Sequence, residues 1–573
     1  MFLLIEFCAA VASVGLAFAF PEFGRGWFER VEDLLRPLAR DRRFAALAIG
    51  LLALGIRAAL LPIEPIPVPV VQDEFSHLLA ADTFAHGRLT NPTHPLWVHF
   101  ETFHVIQQPS YASMYPPAQG LILALGQSVL GHPFWGVWLS VGIMCAAMCW
   151  MLQAWLPEGW ALLGGVFVVV RLAAFSYWGN SYWGGAMAAT GGALVLGALP
   201  RLQQSQRARD AAAMGFGLTL LANSRPYEGL IFSLPILVAL LVWLLGKTHP
   251  SRLLFRQVGV PLLLVLTVAA CGTCYYFWRV TGSPFRMPYQ INRTTYAVAP
   301  YFLWQSPRLE PVYHHETMRD FYTLWELQEF NAARTPYGFV VATLGKINML
   351  WLFYLAPLFV FAVLAALAAA PYGLSWKQIN PRTRFLLKAA AVSLAGLLVE
   401  VYFRPHYAAP MTGLIFVLLL QAMRYLSRWQ WRGKETGKTI VRALSVSCFA
   451  LLLIRAAASP LHWSSQPTLS NTWYSAEPPN IEHAEVVARL QNMPGKHLAI
   501  VRYSMSHNLH DEWVNNLSDI DHSKVVWARD MGPEANLELI RYFSDRTVWL
   551  VKPEEEGPAR VIHYPPAWLR PGD

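Results

Sequence analysis

Charge is scarce in this sequence. Charged residues make up 14% of the 573 positions, where a soluble domain carries about a quarter. Hydrophobic residues make up 55%, and the mean hydropathy is +0.33. A soluble globular protein is therefore excluded for most of the chain. The net charge of +9 would suit nucleic acid, but the basic residues gather in short loops between apolar runs, which is how membrane proteins mark their cytoplasmic side. No nucleic-acid partner is expected. Cysteine is also sparse. Cys8, Cys145, Cys149, Cys271, Cys274 and Cys448 all lie in apolar segments, so they offer no disulfide framework, and Cys271 and Cys274 are packing residues of one helix. No G-x-G-x-x-G and no phosphate-binding P-loop occurs, which leaves a nucleotide-sugar site unsupported. Nor is there an H-E-x-x-H or an internal repeat.

Long apolar runs dominate what remains. Residues 2–20 lack a basic n-region and an A-x-A site, so they are expected to anchor the chain and not to be cleaved as a signal. Residues 21–43 are rich in arginine and are expected in the cytoplasm. Residues 44–62 then cross outward. Further apolar segments fall at 116–130, 133–155, 158–177, 183–200, 211–224, 226–246, 257–280, 347–370, 384–403, 406–423 and 441–458. The expectation is an all-α polytopic membrane protein of about 12 transmembrane helices. Segment 116–130 is too short for the charge-based parity and is expected to be a half-helix or a tilted interfacial helix. The basic stretches 201–209, 247–256, 377–388 and 424–442 point inward, and loops 63–116, 281–346 and 403–407 point outward. After Pro460 the pattern changes to short Val/Ile/Trp strands at 497–504, 524–530 and 546–552, with a helix at 533–540. Three units are expected: 1–43, a core at 44–459, and a small extracytoplasmic α/β domain at 460–573 that folds by itself.

The stretch from Pro69 to Pro117 carries the chemistry. Asp73 and Glu74 stand just past the outward crossing. Ionisable groups near a membrane are expensive and point to function by default. Either carboxylate can serve as a general base or hold a metal; the plain alternative is that Asp73 caps a helix starting at Phe75. The same loop holds His77, His86, His94, His99 and His104, without a recognisable metal spacing. Four more motifs lie on the same side. Tyr177-Trp178-Gly179-Asn180-Ser181-Tyr182-Trp183 suits either stacking on a sugar or an interfacial aromatic belt. Arg225 and Glu228 are spaced to pair with each other, unless Arg225 clamps a phosphate. Arg404-Pro405-His406-Tyr407 and Arg286 offer the same choice.

With Asp73-Glu74 after the first crossing, Tyr115-Pro116-Pro117 opening the next segment, and Arg404-x-x-Tyr407-x-x-Pro410 before a late helix, residues 44–425 resemble the GT-C membrane glycosyltransferases. That superfamily includes the dolichyl-phosphate-mannose protein mannosyltransferases and the bacterial aminoarabinose transferases. The resemblance implies inverting transfer of a sugar from a polyprenyl-phosphate carrier to a glycan, lipid or protein acceptor on the outer face of an inner membrane. It implies Asp73 as base, with Glu74 beside it, and Tyr115, Tyr177, Trp178, Asn180, Tyr182, Trp183, Arg225, Glu228, Arg286, Arg404, His406 and Tyr407 as donor-binding residues. The chain departs from the family in an extra N-terminal helix and in lacking a second acidic motif near Asn180, so whether a divalent metal takes part stays open. The rival readings are a flippase for lipid-linked saccharides and a non-catalytic scaffold.

Overall fold

The computed structural model describes residues 1–246, 254–370, 375–458, 460, 461, 463, 481–505, 507–553 and 558–564. Apolar runs become helices because a bilayer offers the backbone no other hydrogen-bond partner. Among the described residues seven helices are long and apolar enough to cross a membrane: Phe2–Ala19, Phe134–Trp155, Pro226–Leu244, Phe255–Thr281, Pro336–Ala368, Pro405–Leu426 and Thr436–Ala458. Helices Arg42–Ala59, Ala186–Ser205 and Pro381–Leu398 are as long but more polar. Pro117–Leu130 has 14 residues, about 21 Å of helix, which is short of the hydrocarbon thickness of about 30 Å.

Two boundaries differ from expectation. The arginine-rich stretch 21–43, for which no element was expected, includes the helix Arg25–Arg40. The segment expected to begin at 347 begins at Pro336, because Thr335 accepts from Gly338 N (3.0 Å) and proline occupies the first helical position. A π turn, Trp351–Leu355, and a positive φ of 49° at Ala356 then offset the second half of this helix.

Hydrogen bonds sort the loops into two ends. At one end Arg442 bonds Glu32, Gln153 Nε2 donates to Arg42 O, and Thr383 bonds Gln421. At the other end Ala118 N donates to Asn223 O, and Arg57 donates to Glu64 O and Gly179 O. This second end gathers residues 63–117, 174–185, 223–228, 282–335 and 397–407, together with the C-terminal domain.

Two short strands, β1 (Val105–Ile106) and β2 (Ala112–Ser113), pair antiparallel within the first large loop. The C-terminal domain contains β3 (Lys496–Val501), β4 (Val525–Arg529), β5 (Arg546–Lys552) and β6 (Arg560–His563). The sheet order is β4-β3-β5-β6, parallel except for β6. Helix Pro533–Tyr542 lies where the acidic first turn predicts it. Helix Glu482–Asn492 and strand β6 were not foreseen. Residues 464–480, which follow the expected boundary, lie outside the described residues.

The domain does not close its core alone. Leu498, Ile500, Val526, Ala528, Leu539 and Phe543 form one apolar cluster with Leu79, Phe100, Val105 and Tyr111 of the first loop. Polar ties reinforce this join: Arg529 Nε donates to Glu101 O (2.6 Å), Tyr111 Oη to Asn516 O (2.8 Å), and Ser518 bonds Asp82. A sheet with two apolar faces needs a cover on each, and the first loop supplies one of them.

Candidate active site

The site is built on the first turn of helix Gln72–Ala85. Glu74, not Asp73, satisfies the free N–H groups at this helix start. Its Oε2 accepts from Val70 N (2.8 Å) and Val71 N (3.2 Å), while Oε1 accepts from Tyr182 N (3.0 Å). The carboxyl is 3% exposed and is used up as a latch between the helix and the 176–185 loop. Burial pushes its pKa up to about 7, against the pull of the three N–H groups.

That shift has a sign. A carboxyl whose folded pKa lies above its unfolded value favours folding at low pH and loses that contribution as pH rises through about 4.5 to 7. The melting temperature is expected to fall across this window in the parent. In Glu74→Gln it should be lower and flat, because an amide NH2 must face either the Val70/Val71 pair or Tyr182 N. One misplaced buried donor costs about 1–3 kcal/mol. Scanning calorimetry at several pH values checks this; an unchanged slope in the Gln variant would remove Glu74 from the latch.

One residue back, Asp73 faces the polar chamber. Tyr115 Oη donates to Asp73 Oδ1, and His104 Nδ1 lies 3.5 Å from the same oxygen. Tyr115 Oη and His104 Nδ1 are 3.1 Å apart. The β1–β2 pair produces this meeting: His104 immediately precedes β1 and takes a left-handed φ of 59°, while Tyr115 follows β2. Ser76 Oγ fastens the pair to the helix through His104 O (2.7 Å) and Ser113 Oγ (2.7 Å). His77, one turn after Asp73, stacks on Tyr115 at 4.4 Å. Burial lowers His77 to about 3 and also lowers His104, so neutral imidazoles flank the carboxylate. Among the described residues both contacts on Asp73 fall on Oδ1, and Oδ2 has no partner.

From Tyr115 a line of aromatic rings leads to the arginine. Tyr289 meets Tyr115 edge-on at 5.5 Å. Arg225 lies over the Tyr407 ring at 4.2 Å and 3.5 Å from Glu228. Its charge is felt at His77, Tyr289 and Tyr301. Arg225 thus pairs with Glu228, as the spacing of three suggests, and also belongs to the chamber. A small cleft opens beside its partners Glu228 and Tyr407, lined also by Ile231, Phe232, Leu397 and Met411 among others.

The other expected residues divide. Arg404 stands at the start of the turn Pro405–Met411, near enough to act electrostatically on Glu329 and His510. His406 and Tyr177 are spent on each other: Tyr177 Oη and His406 Nδ1 are 2.7 Å apart, and His406 N donates to Tyr177 Oη. Trp183 is half-buried against the His406 ring at 4.9 Å. Trp178, 1% exposed, packs on Phe353 and Tyr354 in the core. Asn180 Nδ2 donates to Ala174 O and Ser176 O, and Tyr182 Oη to Pro67 O. The aromatic motif is therefore mostly a buried brace, which matches neither a sugar platform nor a belt. Arg286 is exposed and bonds Thr294 Oγ1 (2.9 Å), apart from the chamber.

Sequence reasoning missed Tyr289, Tyr301, Trp325 and the buried pair Arg293–Glu326 (2.7 Å). The last two are 33 residues apart and carry no local pattern. Among the described residues no three His, Cys, Asp or Glu side chains converge as a metal site, so no step is routed through a metal.

No protein-family model matches the chain, and no curated protein sequence matches it. Solved structures do align with it. One is an oligosaccharyltransferase of Archaeoglobus fulgidus in complex with Zn and sulfate, at 11% identity and TM-score 0.46, covering 88% of this chain and 67% of that one. Another is ArnT from Cupriavidus metallidurans bound to undecaprenyl phosphate, at 12% identity and TM-score 0.44, covering 88% and 92%. A third is the archaeal oligosaccharyltransferase AglB from A. fulgidus in complex with an inhibitory peptide and a dolichol-phosphate, at 10% identity and TM-score 0.41, covering 88% and 69%.

Proposed function

We propose that this protein is a polyprenyl-phosphate-dependent glycosyltransferase of GT-C type. It works at the outer face of an inner membrane, with about twelve crossings and the C-terminal domain outside. The observation that carries this reading is the convergence of Asp73 and Arg225 on the same tyrosines, since both charges act on Tyr301 and Tyr407. The apolar cleft next to Arg225 and Glu228 suits the carrier's hydrocarbon chain. In the reaction an acceptor hydroxyl loses its proton to Asp73 and its oxygen bonds to the anomeric carbon. The bond from that carbon to the phosphate oxygen breaks, and the lipid phosphate leaves with the electron pair. Arg225 and Arg404 neutralise the charge that develops there. Asp73 and the departing phosphate lie on opposite sides of the sugar, which makes the transfer inverting.

A flippase would use similar groups, but transporters place them near the midplane between repeats, whereas these crowd one end of the helices. The two readings differ in product. Purified full-length protein in nanodiscs, given lipid-linked sugars, should release free polyprenyl phosphate. Movement of intact lipid-linked sugar across proteoliposomes, with no free phosphate carrier formed, would overturn the transferase reading.

A further inference from the structure

His510 belongs to the C-terminal domain yet sits at the chamber. Its ring stands edge-on to Trp325 at 4.6 Å and to Phe321 at 6.0 Å, and Phe321 in turn meets His104 at 6.0 Å. Its Nδ1 is 3.4 Å from Gln72 Nε2, on the residue that precedes Asp73. With the Gln72 amide assigned in this orientation its nitrogen donates, Nδ1 accepts, and the ring proton lies on Nε2. Among the described residues Nε2 has no partner. Gln72 is 5% exposed, and its Oε1 is buried and unpartnered. A donor and an acceptor without partners among the described residues are therefore carried by two residues that meet at 3.4 Å, one of them next to Asp73 in sequence.

The loop that carries His510 is held firmly. Glu512, fully buried, pairs with Arg529 and accepts from Tyr503 Oη, while its Oε1 also accepts from Val514 N (2.8 Å). Arg529 in turn grips Glu101 O in the first loop. The domain's position and that of His510 are thus mechanically linked to the helix bearing Asp73.

We infer that His510 and Gln72 seat a saccharide or polyol acceptor through two neighbouring hydroxyls. This rests on the transferase reading above. The attacking hydroxyl gives its proton to Asp73 and accepts from His510 Nε2–H, which leaves its second lone pair for the anomeric carbon. The adjacent hydroxyl donates to Gln72 Oε1. Trp325, half-buried beside His510, offers a ring to the apolar face of a sugar. A neutral imidazole is required, and burial together with the Arg404 charge lowers the His510 pKa accordingly. A lone alcohol would leave Gln72 Oε1 unpaired, so the site discriminates by the second hydroxyl.

The test uses full-length protein in nanodiscs, undecaprenyl-phosphate-linked hexose and pentose donors, and glycerol or propan-1-ol as surrogate acceptors. The parent should prefer glycerol over propan-1-ol in kcat/KM by roughly tenfold, the scale of one well-made hydrogen bond. Gln72→Leu should erase that preference, with undecaprenyl-phosphate affinity and melting temperature at parent values. His510→Ala should instead lower kcat/KM for both alcohols alike, and His510→Gln, which keeps an N–H donor, should restore part of that loss. An unchanged preference in Gln72→Leu, an unchanged kcat/KM in His510→Ala, equal use of both alcohols by the parent, or a fall in melting temperature that accounts for the loss would overturn the inference. A parent that releases no undecaprenyl phosphate with any acceptor, water included, would instead overturn the transferase reading on which it stands.

Discussion

Asp73→Asn should lower turnover by roughly 100-fold or more, the usual scale for losing a general base, while leaving carrier binding and fold intact. The geometry makes this substitution clean. Asn retains Oδ1, the atom that accepts from Tyr115 Oη and faces His104. The change is confined to the other position, where an amide NH2 replaces the oxygen left free for the acceptor. Asp73 makes no helix-capping bond, because Glu74 takes that role, so loss of stability is not expected. The measurement is release of polyprenyl phosphate by purified variants, together with carrier affinity and a melting curve. Parent-like turnover in Asp73→Asn would leave Asp73 a polar anchor for Tyr115 and would remove the base from the proposed mechanism.

Part of this site was legible because its cues are local. An acidic pair after an outward crossing, a Tyr-Pro-Pro start and an arginine three residues before a glutamate can each be read within a few positions. Helix geometry then separates the two carboxylates: adjacent residues point about 100° apart, so Glu74 turns into the protein and Asp73 into the chamber. His104 was only one of the five histidines named in the first large loop. Its role comes from a left-handed backbone and a strand pair that closes over eight residues, neither of which has a spacing signature.

The aromatic motif shows the opposite failure. Ser-Tyr-Trp-Gly repeated beside a membrane helix looks like a surface, because aromatics favour interfaces. The motif is buried because Glu74 and Arg57 bind its backbone, and both partners are more than a hundred residues away. The C-terminal domain follows the same logic. Strands β3, β4 and β5 and its second helix were legible from alternation and from an acidic first turn. Its cover was not, since Leu79, Phe100 and Tyr111 read as ordinary loop hydrophobes.

Arg225→Gln should weaken binding of undecaprenyl phosphate by roughly 10- to 100-fold, as expected when a hydrogen bond to a charged group is lost, and should reduce turnover at least as much. One confounder has to be separated. Removing the guanidinium strands Glu228, which is 8% exposed, and an uncompensated buried charge costs about 3–5 kcal/mol. Glu400 cannot replace the lost cation, and burial beside Glu228 keeps its own pKa well above the carboxylate range. The double variant Arg225→Gln/Glu228→Gln removes both charges and should regain the stability lost by the single one. If Arg225 holds the carrier phosphate, the double variant stays deficient in carrier binding although its melting temperature recovers. If Arg225 serves only to neutralise Glu228 and to pack on Tyr407, carrier affinity returns with stability. Thermal melting and undecaprenyl-phosphate titration of the same three proteins distinguish these outcomes, and recovery of both quantities together would take Arg225 out of the proposed phosphate site.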